Sequence, residues 1–383
     1  MVRNASICIV GPSRRFTSGI SYYTIGLANA LSSHNRVSVV CFRNLLPKIL
    51  FPGRAHVGRD ISDLEFTQDV TVFDGMDYNN PLTWWRAYRF LMKQHPDVII
   101  LQWWTSSVAH LHLIIKMMNL FLGARIVIEF HEVVDPLEEN ILPIRWYSRT
   151  TGRLLRRDVD GYITHSSSDR KLVAERYHID PDTIKVIPHA LYDQYSRIDK
   201  TDAKKKLSIK EEFIILSFGL IRKYKGIPYL ISAYEELPDE IIRNSRLLIV
   251  GEIWEDREAL LHQIAESRYN DKITLVDEYI PDDRIPLYFS AADVIALPYT
   301  RASQSGIAHI AMCFGTPIVV SKVGGLAESM AGYEGTVFVP PCDADAITRA
   351  IESQYKLPKL FNPPERKWND TAVMYQELID DLI

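Results

Sequence analysis

The sequence predicts an α/β protein with two doubly wound, Rossmann-like domains. Short apolar runs, typical of buried parallel strands, alternate with helical segments of about 10–15 residues along the whole chain. At 383 residues the chain is too long for one ordinary core, which favours two domains. A polar, strand-free stretch at 192–210 interrupts the alternation and is the predicted junction.

The first half of the chain predicts one series of strands and helices. Its strands are predicted at 5–10, 37–42, 70–73, 98–102, 125–130, 162–164 and 184–187. Its helices, where apolar residues recur with the helical period, are predicted at 19–31, 81–95, 106–122 and 144–157. Residues 43–68 have few periodic apolar positions, so a long loop is expected there.

The second half repeats this design. Its strands are predicted at 213–218, 246–250, 273–276, 294–297, 318–320 and 336–339. A proline-bearing linker at 357–364 precedes a last predicted helix at 368–382. We therefore predict a first domain over 1–193, a second domain over 194–362, and a C-terminal helix within 363–383 that packs back on the first domain.

Composition narrows the class of protein. The net charge of −4 argues against nucleic acid as the main partner, which usually requires a basic surface. The four cysteines are too far apart in the sequence for a zinc motif or a disulfide framework. The longest apolar segment, 111–122, is too short to span a membrane. We expect a cytoplasmic protein that needs no metal or cofactor and touches a membrane at most peripherally, on its inner face.

Candidate site residues in the first domain follow its strands, because doubly wound domains bind ligands at the carboxyl ends of their strands. Ser18 and Gly19 begin a helix, where backbone N–H groups suit a phosphate or an acceptor oxygen, although a plain capped turn has the same sequence. His131 and Glu132 follow one strand, and His189 follows another.

In the second domain, cations follow the strand at 213–218. Gly219 is succeeded by Arg222 and Lys225, and Gly226 begins the next helix. A glycine permits close backbone approach, and a helix N-terminus adds partial positive charge. Two cations there would offset a buried pyrophosphate, whereas the alternative is an exposed basic turn.

A second anion-binding pattern follows the strand at 294–297. Gln304, Ser305, Gly306 and Ile307 open a helix with small or polar side chains and free N–H groups. The order and spacing of the motifs that follow the strands resemble those of a known protein family.

The stretches FGLIRKYKG, SQSGIAHIAMCFGTP and VGGLAE resemble the carboxyl-terminal domain of family 4 glycosyltransferases. IVGPSRRFTSGISYYTIGLANAL and VIEFHE resemble the amino-terminal domain of the same family, so the resemblance covers nearly the whole chain. It implies a GT-B fold, in which two Rossmann-like domains face a cleft. The second domain would hold a nucleotide-sugar donor and the first an acceptor, without a metal and with retention of anomeric configuration.

The resemblance also implies residue roles. Arg222 and Lys225 match the pyrophosphate-binding pair, His131 matches a histidine near the transferred sugar, and these three are the expected catalytic residues. The implied donor-binding set is Gly19, Gly219, Arg222, Lys225, Glu278, Gln304, Ser305, Gly306, Ile307 and Glu328. The implied acceptor-side set is Ser18, His131, Glu132 and His189.

The sequence departs from the family pattern at one point. The family commonly carries two glutamates separated by seven intervening residues near the helix that follows 294–297, but no acidic residue lies between Asp293 and Glu328. A Gln-Ser-Gly element at 304–306 stands in place of the first glutamate, as in one branch of the family. Either Glu278 or Glu328 could contact the ribose instead.

The expected reaction is retaining transfer from a UDP- or GDP-sugar to a glycan or a lipid-linked acceptor. The alternatives are a nucleotide-sugar 2-epimerase of the same fold and a non-catalytic relative that binds a glycan or nucleotide. Epimerisation needs carboxylates around the sugar, and the acid-free stretch counts against it. A relative without activity would have no evident need for the Arg222–Lys225 pair.

Two further expectations concern the first domain. His131 is expected to open on the cleft, so His131→Ala should slow transfer while the melting temperature hardly changes. Tryptophans at 84–85 and 103–104, with arginines recurring along 145–157, suit a membrane surface and a lipid-linked acceptor, or else core tryptophans and a solvated basic helix.

Overall fold

The computed structural model describes residues 4–12, 19–45, 64–133, 142–356 and 360–383. The chain divides into two compact units, one formed by Met1–Ala190 with Arg366–Ile383 and the other by Leu191–Glu365. Each unit contains one parallel β-sheet flanked by helices, so the predicted fold class of two doubly wound α/β domains is confirmed.

The sheet of the first unit has the strand order β3-β2-β1-β4-β5-β6-β7, and its strands pair in parallel. The strands are β1 (Ser6–Gly11), β2 (Arg36–Asn44), β3 (Val70–Asp77), β4 (Val98–Trp103), β5 (Arg125–Phe130), β6 (Gly161–Thr164) and β7 (Ile184–Val186).

The sheet of the second unit has the order β10-β9-β8-β11-β12-β13, again parallel. The strands are β8 (Phe213–Phe218), β9 (Ser245–Val250), β10 (Ile273–Val276), β11 (Val294–Leu297), β12 (Ile318–Ser321) and β13 (Thr336–Val339).

The helices follow the strands in both units, and the last one belongs to the first unit. They are α1 (Gly19–Ser32), α2 (Pro81–Gln94), α3 (Ala109–Asn119), α4 (Leu142–Arg156), α5 (Ser167–Tyr177), α6 (Lys200–Lys206), α7 (Ile227–Glu235), α8 (Asp239–Asn244), α9 (Arg257–Glu266), α10 (Ile285–Ala291), α11 (Gly306–Cys313), α12 (Gly324–Met330), α13 (Ala344–Lys356) and α14 (Trp368–Leu382).

The central strands are apolar throughout because both faces of each sheet are covered. All six residues of β1 are buried. Ile7 and Ile9 pack with α1 and α14 residues on one face, whereas Cys8 and Val10 join the core on the other face. This alternation is the two-residue period of a strand, and it places a separate hydrophobic layer on each side of the sheet.

Each sheet has a topological switch point, where the chain changes the direction in which it adds strands. It lies between β1 and β4 in the first sheet and between β8 and β11 in the second. Ligands of doubly wound domains bind beside such points, at the carboxyl ends of the strands. The loops after β8 and β11 therefore border one predicted site.

The structure adds detail to the sequence predictions. The helix predicted at 106–122 divides into a short 3₁₀ turn, Ser106–Val108, and α3. Most of the loop predicted at 43–68 lies outside the described residues, although β2 extends to Asn44. Cys8 and Cys41 are buried and unbridged, as expected. In the part of the chain that the structure describes, no helix is long and apolar enough to cross a membrane.

Candidate functional site

In the second unit, two glycines bring the ends of β8 and β11 together. Gly219 follows β8 with φ +97°, and a Cβ at this position would lie 3.2 Å from the Ile307 side chain and 4.0 Å from Lys225 Nζ. Gly226, with φ +68°, precedes α7, and a Cβ there would collide with the Pro298 carbonyl oxygen. Both positions require glycine for their backbone conformation and for this close approach.

Lys225 is a buried cation at the end of β8. Its ammonium group donates a hydrogen bond to the Tyr299 hydroxyl and lies 4.2 Å from the centre of the Tyr299 ring. Burial lowers the pKa of Lys225; the nearby Tyr224 opposes this effect in part, and the positive charge of Arg222 adds a smaller lowering. Among the described residues, no carboxylate lies within 4.0 Å of this ammonium. A buried cation without a carboxylate partner is a position that an anion would stabilise.

Lys225 is connected to the N-terminus of α11. The Tyr299 hydroxyl, whose pKa burial raises, lies 3.3 Å from Ser305 Oγ. Ser305 caps α11, since its hydroxyl accepts a hydrogen bond from the Ala308 N–H. The amide of Gln304 is buried, and neither its oxygen nor its nitrogen has a hydrogen-bond partner among the residues that the structure describes. The predicted helix start at Gly306 is confirmed, and it brings polar groups and a positive helix end beside a buried cation.

Arg222 is more restrained than the sequence indicates. Its Nε donates to Glu255 at 3.0 Å, and the same carboxylate accepts a hydrogen bond from the Lys223 N–H. One quarter of the Arg222 side chain is exposed. Glu255 thus fixes the direction of the guanidinium, and it offsets part of the Arg222 charge.

The two candidate ribose carboxylates lie in different surroundings. Glu278 is half exposed and forms an ion pair with Arg284 at 2.7 Å. Glu328 is exposed on α12, a helix whose first residue, Gly324, packs against the Ala302 carbonyl oxygen in the loop before α11. Of the two, Glu328 lies on the helix that adjoins the anion-binding pattern.

The first unit holds a second cluster, centred on His131 at the end of β5. His131 Nδ1 lies 3.1 Å from His165 Nε2, and His165 Nδ1 lies 3.0 Å from the Ile187 carbonyl oxygen. Burial and the nearby His131 lower the pKa of His165 to about 4, so His165 is neutral near pH 7. Because a carbonyl only accepts, the proton of neutral His165 is on Nδ1, and its Nε2 accepts a hydrogen bond from His131.

Glu129 completes this cluster from within β5. Its side chain is fully buried, with Oε2 3.5 Å from His131 Nε2 and Oε1 3.6 Å from His165 Nε2. Gln102 and Tyr375 donate hydrogen bonds to the carboxylate. Burial alone would raise the pKa of Glu129, but the two histidines and the tyrosine outweigh it and hold the pKa below its usual range.

Aromatic side chains enclose the same cluster. The Tyr23 ring lies edge-on to His131, with centroids 4.7 Å apart, and contacts the rings of His189 and Trp368. His189 is buried, and its Nδ1 lies 2.9 Å from the Ala190 carbonyl oxygen. The structure therefore brings His131 and His189 to one site.

Of the other residues predicted for the first unit, the structure describes Gly19 and Glu132 but not Ser18. Gly19 is the first residue of α1, whereas Ser18 lies outside the described residues. Glu132 is half-buried beside His131.

Three residues of this cluster could hold a metal ion. Ligand atoms of Glu129, His131 and His165 lie within 4.8 Å of one another, the one such group among the residues described. The Glu129 oxygens already accept two hydrogen bonds, and His165 Nε2 faces His131. The polar network therefore engages Glu129 and His165, whereas His131 Nε2 has no hydrogen-bond partner among the described residues.

One sequence expectation about His131 is wrong in its premise. The residue is 7% exposed, so it is not the open position from which an unchanged melting temperature was expected for His131→Ala. Removing the imidazole would leave a cavity beside two buried polar groups. A loss of stability is therefore expected together with any loss of rate.

Sequence reasoning also missed several partners. His165 directly follows β6, and Tyr299 lies two residues after the end of β11, so the rule that selected His131 would have found them. Glu129 was visible as a carboxylate inside an apolar strand. Tyr375 lies 246 positions from Glu129, and no local pattern links the two.

Both units match glycosyltransferase family models. Residues 17–193 match the model described as Glycosyltransferase Family 4, and residues 199–371 match Glycosyl transferases group 1. Among curated relatives, a D-inositol 3-phosphate glycosyltransferase of Stackebrandtia nassauensis is 26% identical over 245 residues, which cover 61% of this chain and 52% of the relative. A 2-deoxystreptamine glucosyltransferase of Streptomyces kanamyceticus is 26% identical over 176 residues, covering 45% and 42%. The chain spans about half the length of the curated relatives it matches.

Solved structures share the fold over almost the whole chain. Sucrose-phosphate synthase from Thermosynechococcus elongatus has a TM-score of 0.68 at 18% identity, with 98% of this chain and 94% of that chain covered. The Anabaena protein HepE in complex with UDP-glucose also has a TM-score of 0.68, at 16% identity and with coverage of 98% and 94%. Both likenesses show the fold of this chain.

Proposed function

Because the chain belongs to the family 4 glycosyltransferases, we propose that it transfers a sugar from a nucleotide-diphosphate sugar to a glycan or lipid-linked acceptor, with retention of anomeric configuration. The second unit holds the donor, and the first unit presents His131 to the transferred sugar or the acceptor. The observation that carries this proposal is Lys225, a buried ammonium that faces no carboxylate among the described residues.

A bound diphosphate would supply the negative partner that the Lys225 ammonium lacks among the described residues. Lys225 and Arg222 lie in one loop, and the N-terminus of α11 is linked to Lys225 through Tyr299. Together they present two cations and a positive helix end, which suits the two phosphates of a sugar nucleotide. The unpaired Gln304 amide, on the residue before the Ser305 cap, is a further donor and acceptor for a bound ligand.

The reaction follows from this electrostatic arrangement. The bond between the anomeric carbon and the phosphate oxygen breaks, the acceptor oxygen forms a bond on the same face, and the acceptor proton passes to the leaving phosphate. Negative charge then grows on the diphosphate, where Lys225 and Arg222 stabilise it. Fixed donors aimed at developing charge contribute roughly 3–4 kcal/mol each to lowering a barrier.

The nucleotide is proposed to be uridine diphosphate. HepE is solved with UDP and with UDP-glucose, and a trehalose-6-phosphate enzyme of E. coli is solved with UDP-2-fluoro glucose. UDP is therefore expected to raise the melting temperature more than GDP or ADP. At a hundred times its dissociation constant a ligand stabilises by ~2.7 kcal/mol, or roughly 5–10 °C for a unit of this size.

The panel of nucleotides also tests the need for metal. The shift with UDP, and turnover of a UDP-sugar, are expected to persist in EDTA, because cations of the chain itself face the diphosphate. Loss of turnover in EDTA that Mg²⁺ or Mn²⁺ restores would contradict this proposal. Product analysis separates the alternatives, since an epimerase would convert the donor without an acceptor and a non-catalytic relative would bind UDP without turnover.

The acceptor is proposed to be presented at an anionic membrane surface. Trp85 on α2, Phe121 just after α3 and Trp146 on α4 are 54%, 76% and 73% exposed. Arg89 stacks over Trp85 at 5.0 Å, and Arg149 and Arg153 are exposed on α4. Exposed aromatic rings interleaved with arginines match the headgroup region of anionic lipid. Trp103, by contrast, belongs to the core.

Sedimentation with vesicles tests this surface. The protein is expected to bind vesicles that contain phosphatidylserine more strongly than pure phosphatidylcholine, and Phe121→Glu should weaken that binding without lowering the melting temperature. Leu360→Glu is the matched control, because Leu360 is 62% exposed and belongs to the second unit. Equal binding by both variants would remove this surface from the proposal.

A further inference from the structure

The last helix of the chain reaches the buried cluster around His131. Tyr375 on α14 is fully buried, and its hydroxyl donates a hydrogen bond to Glu129. The same hydroxyl lies 2.9 Å from the Tyr23 hydroxyl on α1. The helix therefore supplies a polar group to a strand that precedes it by more than two hundred residues.

Glu129 connects Tyr375 to His131. Its carboxylate lies between Tyr375 on one side and the two imidazoles on the other, and Gln102 donates to it at 3.1 Å. His131 is thus oriented through Nδ1 by His165 and faces Glu129 with Nε2. If the Glu129 carboxylate moves, the His131 imidazole loses the neighbour that faces its Nε2 and helps to fix the orientation of the ring.

An aromatic contact runs parallel to this polar one. Trp368, the first residue of α14, packs on Tyr23, which is edge-on to His131. A Cβ on Gly26 of α1 would lie 2.5 Å from the Trp368 indole, so the two helices touch where there is room for glycine alone. Trp368 and Tyr375, about two turns apart on α14, are therefore each linked to His131 through one intervening residue, Tyr23 and Glu129 respectively.

A purely structural helix anchor would not need this chemistry. Buried charged networks are often no more stabilising than apolar side chains of the same size, whereas they do select one geometry. α14 also has apolar anchors, Ala372 and Ile379, in the core beneath α1. The buried carboxylate is therefore better explained by the orientation that it imposes than by stability.

We propose that Tyr375 and Glu129 are positioning residues for sugar transfer, which hold the His131 imidazole in its working orientation and make that orientation depend on the docked C-terminal helix. This inference rests on the proposed function for its rate effect. The orientation of His131 itself can be observed without any turnover.

Tyr375→Phe removes one hydroxyl and keeps the ring. It is expected to lower kcat at least 10-fold, to leave the UDP-induced thermal shift unchanged, and to move the imidazole ¹⁵N resonances of His131 in histidine-labelled protein. Tyr234→Phe is the matched control, because Tyr234 is fully buried in the second unit and its hydroxyl contacts Ser245. That control should lower the melting temperature similarly but leave kcat and the His131 resonances as they are.

Gly26→Ala tests the same coupling without deleting a hydrogen bond. The added methyl group must displace Trp368, so kcat is expected to fall with the same change in the His131 resonances. Gly75→Ala, where a Cβ meets nothing within 4 Å, should have no effect. If Tyr375→Phe does not fold, Gly26→Ala alone decides the matter.

The proposal is overturned if Tyr375→Phe and Gly26→Ala keep the kcat of their controls, or if the His131 resonances do not move in either. If the wild-type protein transfers no sugar while its His131 resonances still respond to both substitutions, the proposed function fails and the structural coupling stands.

Discussion

Lys225→Met is expected to lower kcat/KM about 10²–10³-fold while leaving the melting temperature unchanged or higher. The rate falls because a donor aimed at the leaving diphosphate is lost. The stability is retained because burial lowers the pKa of Lys225 in the folded protein, so this group costs folding free energy at every pH below its higher unfolded pKa, and the full cost is present where Lys225 is charged. Methionine fills similar space without that cost. Opposite effects on rate and stability distinguish a ligand-binding cation from a structural one.

Lys223→Met is the matched control for this experiment. Lys223 lies two residues away in the same loop, but its side chain is 68% exposed and pairs with Asp256. It should leave kcat/KM within about 2-fold, as exposed charges away from a site usually change free energies little. Arg222→Ala should fall between the two, because Glu255 offsets part of the Arg222 charge. Equal rates for Lys225→Met and Lys223→Met would contradict the diphosphate assignment.

Much of the fold could be predicted because a buried parallel strand can be recognised from its own short stretch of sequence. The runs that became β5, β8 and β11 are continuous, apolar and bounded by turn residues, so their limits match the structure. β3 extends beyond the prediction, to Asp77, because its end pairs with β2 through irregular register and an Asn44–Asp77 hydrogen bond. That extension depends on a partner strand, which a local pattern does not contain.

For the candidate sites, as for the fold, the sequence predicts the features that depend on local pattern and not those that depend on contacts between distant segments. The topology of a doubly wound sheet directs attention to the residues after strands, and this rule selects His131, Arg222 and Lys225 directly. It does not reveal that Glu255 restrains Arg222 or that Tyr375 reaches Glu129, since those contacts join distant segments. It also misjudges burial, because a strand end that lies under a later helix resembles one that opens to solvent.

The absence of the paired glutamates changes which groups are available for catalysis. With no acidic residue from Val294 to Ala327, the stretch around α11 offers hydroxyl, amide and N–H groups to a ligand. These groups stabilise negative charge on a leaving group, but none of them bears a negative charge of its own. The buried carboxylate described in the first unit, Glu129, is proposed to act through His131, whose Nε2 lies 3.5 Å away.

His131→Ala is expected to lower kcat about 100-fold or more and to destabilise the protein by ~2–4 kcal/mol. The rate effect is that of losing a positioned side chain at the transferred sugar or acceptor. The stability effect follows from a cavity in a buried site and from Glu129 and His165 losing a neighbour. The UDP-induced thermal shift should persist, because the donor is proposed to bind the other unit.

A buried histidine elsewhere in the first unit separates the two effects. His112 on α3 is fully buried and packs against Phe42 and Trp103, and within the described parts of the chain neither of its ring nitrogens forms a hydrogen bond. His112→Ala should therefore lower the melting temperature without lowering kcat per folded molecule, measured well below both transitions. If the two alanine variants lose rate only in proportion to their unfolded fractions, His131 supports the fold and not the reaction. A rate loss confined to His131→Ala would place the imidazole at the reacting sugar.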